Sequence, residues 1–231
     1  MKHDVSRTLP WMREGTEHFL AVVESLSDSE FRTESRLPGW SKAHVVGHVA
    51  RNAEALTRLA IWARTGVETP MYADRSQRAA EIEESATLPP RELRKSLVDS
   101  AERLDSELGR LAPGGWTAQV RSALGRTIPA AEVPWMRIRE VWLHAADLGS
   151  DALFDEIPDS VVDLLLDDVC GNLSGKDGCP SVMVAPVDRK TAWRLGSGDP
   201  GLTARGRAAE LVGWVTGRLP RPDLPPLPGW L

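Results

Sequence analysis

Helical periodicity runs through the first two thirds of the chain. Leu93, Leu97, Leu104, Leu108 and Leu111 recur at helical steps after Pro89-Pro90. Apolar positions at that spacing share one face of a helix, and proline is favoured in a helix's first turn. The spacing therefore predicts a helix that opens at the prolines and closes near Pro113-Gly114-Gly115. A second stripe, Val45, Val49, Leu56 and Leu59, lies between Ser41, a natural N-cap, and Gly66, a natural C′ residue. An earlier helix is expected from about Ser6 to Ser25, and a later one from near Pro129 or Pro134 to Gly149. Four such segments joined by irregular loops predict a mainly α protein built on an up-and-down four-helix bundle. The connection from Thr65 to Leu88 is long for a bundle. It suits a functional loop or a short helix of its own, capped by Asp74 and carrying Arg78.

Beyond Gly149 the texture changes. Residues from about Pro158 to Ser174 still read as a helix. SVMVAPV and TAWRL then read as short strands split by the polar turn Asp188-Arg189-Lys190. LTARG is a candidate third strand, and Arg207 to Gly217 a last helix. The proline-rich tail RPDLPPLPGWL should be extended. The expected organisation is a helical bundle over 1–150 and a small α/β domain over 151–231.

Composition narrows the function classes. The chain has 231 residues, a formal net charge of -5 and a pI near 5.6. A phosphate-backbone partner needs a concentrated basic surface, so no nucleic acid is expected. No window holds the roughly 18 unbroken apolar residues of a membrane helix, so no membrane partner is expected either. The opening MKHDVSRTLPWMREG lacks the apolar run of a secretory signal. A cytoplasmic chain, and a monomer, is the expectation. Cys170 and Cys179 match neither a disulfide framework nor a zinc spacing. No histidine lies near them in sequence to activate either thiol. Any thiol chemistry would have to use a thiol from outside.

The chemistry gathers on the later helix. On a wheel of residues 133–149, Glu140, His144 and Asp147 form one narrow stripe. Met136, Leu143, Val141 and Leu148 flank it, and Ile138, Trp142 and Ala145 cover the opposite face. A helix apolar almost all round is buried, and a buried carboxylate is costly unless something compensates it. On the second helix, His48 and Asn52 also sit inside the apolar stripe. Two histidines and one carboxylate on facing helices are how bundles build metal sites. Three protein ligands leave the fourth position that catalytic zinc uses. A buried Glu–His ion pair satisfies the same pattern, and His44, one turn before His48, competes with it for the ligand role. Most of the nine tryptophans belong to the core by default; Trp40, Trp135 and Trp142 are candidates for a pocket wall.

GWSKAHVVGHVARNAEAL, TGVETPMY and GRTIPAAEVPWMRIREVWLHAADLG resemble the mycothiol-dependent maleylpyruvate isomerase family. AELVGWVTGR resembles the end of that family's C-terminal domain. The resemblance implies a DinB-like metal-binding four-helix bundle followed by a small sterol-carrier-like α/β domain. It implies His48, Glu140 and His144 as metal ligands, choosing His48 over His44, with zinc as the metal and mycothiol as the thiol. It implies catalytic roles for Arg78 and Arg218. Asn52 and Asp147 are candidates for the cofactor pocket. The implied reaction converts maleylpyruvate to fumarylpyruvate in aromatic degradation through gentisate. A thiolate adds to the cis double bond, the resulting single bond rotates, and the thiolate leaves. A metal favours this by deprotonating a thiol that is mostly protonated at neutral pH. The arginines would hold carboxylates and polarise the enolate. Three alternatives remain: a mycothiol S-transferase that keeps the thioether, a non-haem iron enzyme using the same donors, and a non-catalytic metal-binding bundle.

Overall fold

Caps and prolines set the helix boundaries. The computed structural model describes residues 3–149 and 151–230; the expected domain boundary at Ser150 lies outside the described residues. Helix α1 spans Val5–Ser25, with the Asp4 side chain accepting from the Ser6 N–H. Helix α2 spans Lys42–Thr65, between the N-cap Ser41 and Gly66, whose φ of 74° is the left-handed C′ conformation glycine tolerates. Helix α3, Arg75–Thr87, fills the long connection, and Asp74 caps it by accepting from the Gln77 N–H at 2.8 Å. Helix α4 spans Pro90–Gly109 and α5 spans Val133–Leu148.

Helices α1, α2, α4 and α5 form the bundle. Helix α1 packs on α4 and α5, and α2 packs on the same two helices from the other side. Consecutive members α1 and α2 therefore lie across the bundle, as do α4 and α5. Linking elements that are not neighbours takes the long irregular segments 26–41 and 110–132. The core between the helices is Met12, Phe19 and Val23 from α1, Val49, Leu56 and Leu59 from α2, Leu93, Leu97 and Leu104 from α4, and Ile138 and Val141 from α5. Gly15 lets α1 meet α5 closely: a Cβ there would stand 2.5 Å from Trp142 Nε1.

Two local features depart from the pattern-based expectation. Helix α4 stops at Gly109, so Leu111 is buried from the loop beyond it. The segment before α5 also carries an unforeseen hairpin, β1 (Gln119–Arg121) paired antiparallel with β2 (Thr127–Pro129). Each strand has one buried residue, Val120 or Ile128, too few for alternation to register. Gly125, at φ 78°, makes the turn.

The chain divides into two compact units, Met1–Gly149 and Ser150–Leu231. In the second, α6 (Asp159–Leu173) packs on α7 (Ala208–Val215) and on a three-stranded sheet. Strand β3 (Val182–Val184) is central, antiparallel to β4 (Trp193–Leu195) and parallel to β5 (Leu202–Ala204). The architecture is mainly α with a small C-terminal α/β part. Among its described residues, the proline-rich tail carries no helix or strand. Among the described residues no helix is long and apolar enough to cross a membrane.

Candidate metal centre

The packing of α2 on α5 brings three donors to one point. One ligand atom from each of His48, Glu140 and His144 lies within 4.8 Å of the other two. His48 Nε2 is 2.8 Å from Glu140 Oε2, and His144 Nε2 is 3.3 Å from the same oxygen. The two imidazole rings meet edge to face at 4.8 Å. Behind His144, its Nδ1 lies 2.8 Å from Asp147 Oδ2. His44 is turned to other work. It bonds back to Ser41 as the third residue of a capping box, and its Nε2 faces Glu83 at 3.3 Å. One helical turn separates the two histidines, and only His48 reaches α5.

Charge in this cluster is set by competition between burial and pairing. Burial raises a carboxylic acid, but the charges and hydrogen bonds of His48 and His144 win, holding Glu140 well below the ordinary carboxylate value. Burial pushes His48 down against the pull of Glu140. Burial also acts against His144, yet Asp147 and Glu140, one on each ring nitrogen, outweigh it and raise that histidine.

The donor set fits a transition-metal cation. Two imidazole nitrogens and one carboxylate oxygen suit zinc or iron(II); calcium and magnesium take oxygen ligands. Asp147 fixes which nitrogen of His144 turns to the centre, as carboxylates behind metal-binding histidines do. The three residues are therefore able to hold one divalent ion.

The other expected residues fall at different distances from this point. Arg78, half-buried on α3, places Nη2 3.5 Å from His48 Nδ1. Asn52 is buried, and its Oδ1 accepts from Arg137 Nη1 at 3.1 Å. Asp147 is buried beneath His144, its side chain wholly shielded from solvent. Of the three tryptophans, Trp40 stands beside the centre, its ring 5.5 Å from that of His48. Trp135 instead stacks on His3, and Trp142 on His18. In the second unit, Arg218 follows α7; its N–H donates to Gly213 O and its guanidinium to Thr216 O. Cys170 is buried and its thiol is pushed up to about 12, and burial raises Cys179 as well, so both resist ionisation. Two residues of the neighbourhood escaped the sequence reading. Tyr72, the only tyrosine, hydrogen-bonds Arg78 and feels the charge of Glu140. Arg137 is a fully buried arginine three residues before Glu140. Its signal was present: a strong cation between Met136 and Ile138 in a helix read as buried.

Fold and site together define a class: four-helix bundles that set two imidazoles and a carboxylate from facing helices around one point. The family model for the mycothiol maleylpyruvate isomerase N-terminal domain matches residues 12–149. A crystal structure of the mycothiol-dependent maleylpyruvate isomerase superposes with a TM-score of 0.92 at 33% identity, covering 99% of this chain and 98% of that one. A second crystal structure, of a mutant of that enzyme with one histidine changed to alanine, matches with the same values. A search of curated protein sequences finds no match. The chain belongs to the mycothiol-dependent maleylpyruvate isomerase family.

Proposed function

We propose that this protein is a mycothiol-dependent cis–trans isomerase that converts maleylpyruvate to fumarylpyruvate, with zinc held by His48, Glu140 and His144. The observation that carries the reading is the convergence of those three donors between α2 and α5 in a chain of this family. When bound, zinc supplies the positive charge that keeps a thiol ionised near neutral pH, and mycothiol supplies the thiol.

The chain's own residues do the rest by position. Asp147 holds the Nδ1 side of His144, so Nε2 faces the centre. With its Nε2–H donating to Glu140, His48 has Nδ1 left to accept from Arg78. A histidine that offers Nε2 to a cation carries its proton on Nδ1, which then no longer accepts. With a cation held there, the guanidinium of Arg78 would be free to take a substrate carboxylate or the enolate oxygen. Tyr72 hydrogen-bonds the same arginine. Arg218 is assigned to carboxylate binding on the family resemblance. Asn52 and Asp147 serve from behind the centre. We read the chain as a cytoplasmic monomer acting on small acids of gentisate breakdown, with neither nucleic acid nor membrane as a partner.

The deciding experiment incubates zinc-loaded protein with mycothiol and maleylpyruvate, following both the substrate's geometry and free thiol. Turnover to fumarylpyruvate with no net loss of thiol is expected. Stoichiometric thiol loss would point to an S-transferase instead, and no reaction would reject the reading. Arg78→Ala and Arg218→Ala should each raise KM for maleylpyruvate and leave zinc content unchanged.

A further inference from the structure

Arg137 is the strongest cation buried in the bundle, 1% exposed, on the same helix as Glu140 and His144. One nitrogen, Nη1, donates to Val49 O at 2.6 Å and to Asn52 Oδ1 at 3.1 Å. Val49 directly follows His48. Nε and Nη2 are buried, and among the described residues no protein acceptor meets them. A guanidinium kept only as a brace would use its fork; here most of the charge is left uncompensated by hydrogen bonding.

We infer that Arg137 is a positioning residue of the metal centre whose fixed charge makes the position left by the three protein ligands favour an anion. The inference rests on His48, Glu140 and His144 being ligands. The charge balance shows the effect. A divalent cation and the two carboxylates Glu140 and Asp147 cancel, and such a centre has no electrostatic need of an anion. Arg137 leaves one positive charge over, which a thiolate neutralises. Arg78, half-buried and 3.5 Å from His48 Nδ1, adds a positive charge that a substrate carboxylate would take up on binding, whereas the buried charge of Arg137 stays with the centre. Burial lowers Arg137 to about 10, with Glu140 opposing, so it remains protonated at neutral pH. The ligand class it selects is a singly charged anion, above all a thiolate, over water or a neutral thiol.

The test uses the full chain loaded with cobalt(II), whose visible spectrum reports its ligands, with thiocyanate as an anionic sulfur probe. Arg137→Met should bind thiocyanate about tenfold more weakly, the effect of one nearby charge, while holding cobalt at least as tightly, because a neighbouring positive charge is gone. Arg137→Lys, which keeps the charge, should restore thiocyanate binding to within about threefold of the parent. A brace cannot move anion and cation affinity in opposite directions. Loss of cobalt together with thiocyanate in Arg137→Met, or unchanged thiocyanate binding, overturns the inference. If Arg137→Met does not fold, Arg137→Lys decides: parent-like thiocyanate binding upholds the charge role, and a tenfold loss rejects it. A parent protein that takes up no cobalt overturns the ligand assignment itself, a separate outcome.

Discussion

At the scale of single residues, the proposed centre would depend on groups that hold the candidate ligands as much as on those ligands. Asp147 keeps the Nδ1 proton of His144 in place. Asp147→Asn should lower zinc affinity about 10- to 100-fold, the usual cost of losing a carboxylate behind a metal-binding histidine; competition with a chromogenic chelator measures it. Glu140 also sets a pH dependence in the metal-free protein. Its folded-state value lies well below the ordinary carboxylate value near 4.5. The stability it contributes is therefore complete above that value and is lost as pH falls through the folded value. Urea unfolding at pH 6 and pH 3 should show a larger loss for the parent than for Glu140→Gln. The histidines and Glu140 were legible in sequence because polar residues inside an apolar stripe must be compensated. The pattern alone left the choice between His44 and His48 open, and the family resemblance made it. Both lie one turn apart, and only the Ser41 cap, which consumes His44, separates them. Arg137 stood in the same apolar run and was overlooked because arginine is by default a surface residue.

At the scale of elements, capping chemistry made the helices readable. Ser41, Gly66, Asp74 and Pro90 bound α2, α3 and α4 within a residue of where their side chains require. The β1–β2 hairpin was not legible, since each strand offers one buried position and its stability comes from contacts distant in sequence. Helix α3 matters most for function, because it carries Arg78 to His48. Its seat on α2 depends on Gly47: a Cβ there would stand 2.7 Å from Ser85 Cβ. Gly47→Ala must push α3 outward, and overpacking of this kind costs about 1–3 kcal/mol. Denaturant unfolding should register that loss. The same variant should retain zinc, since His48, Glu140 and His144 lie on α2 and α5, yet respond weakly to maleylpyruvate because Arg78 moves.

At the scale of the whole molecule, the proposed metal would be a folding partner as well as a part of the catalytic centre. An ion that binds the native centre and not the unfolded chain stabilises the protein by mass action, by about 4 kcal/mol at a thousandfold excess over its Kd. Glu140 lies between two imidazoles that can compensate its charge. The bundle is therefore expected to fold without zinc, the ion adding to an existing structure. Thermal melting should accordingly show a cooperative transition in chelator that moves to higher temperature as zinc is added, with the shift growing with free zinc. His48→Ala should melt cooperatively but show no zinc-dependent shift, and Arg218→Ala should shift as the parent does. Hydrogen exchange refines the same prediction: zinc should slow the amides of α2 and α5, the two helices that carry the donors. A protein that is unfolded in chelator, or a His48→Ala variant that still responds to zinc, would reject this account of the centre.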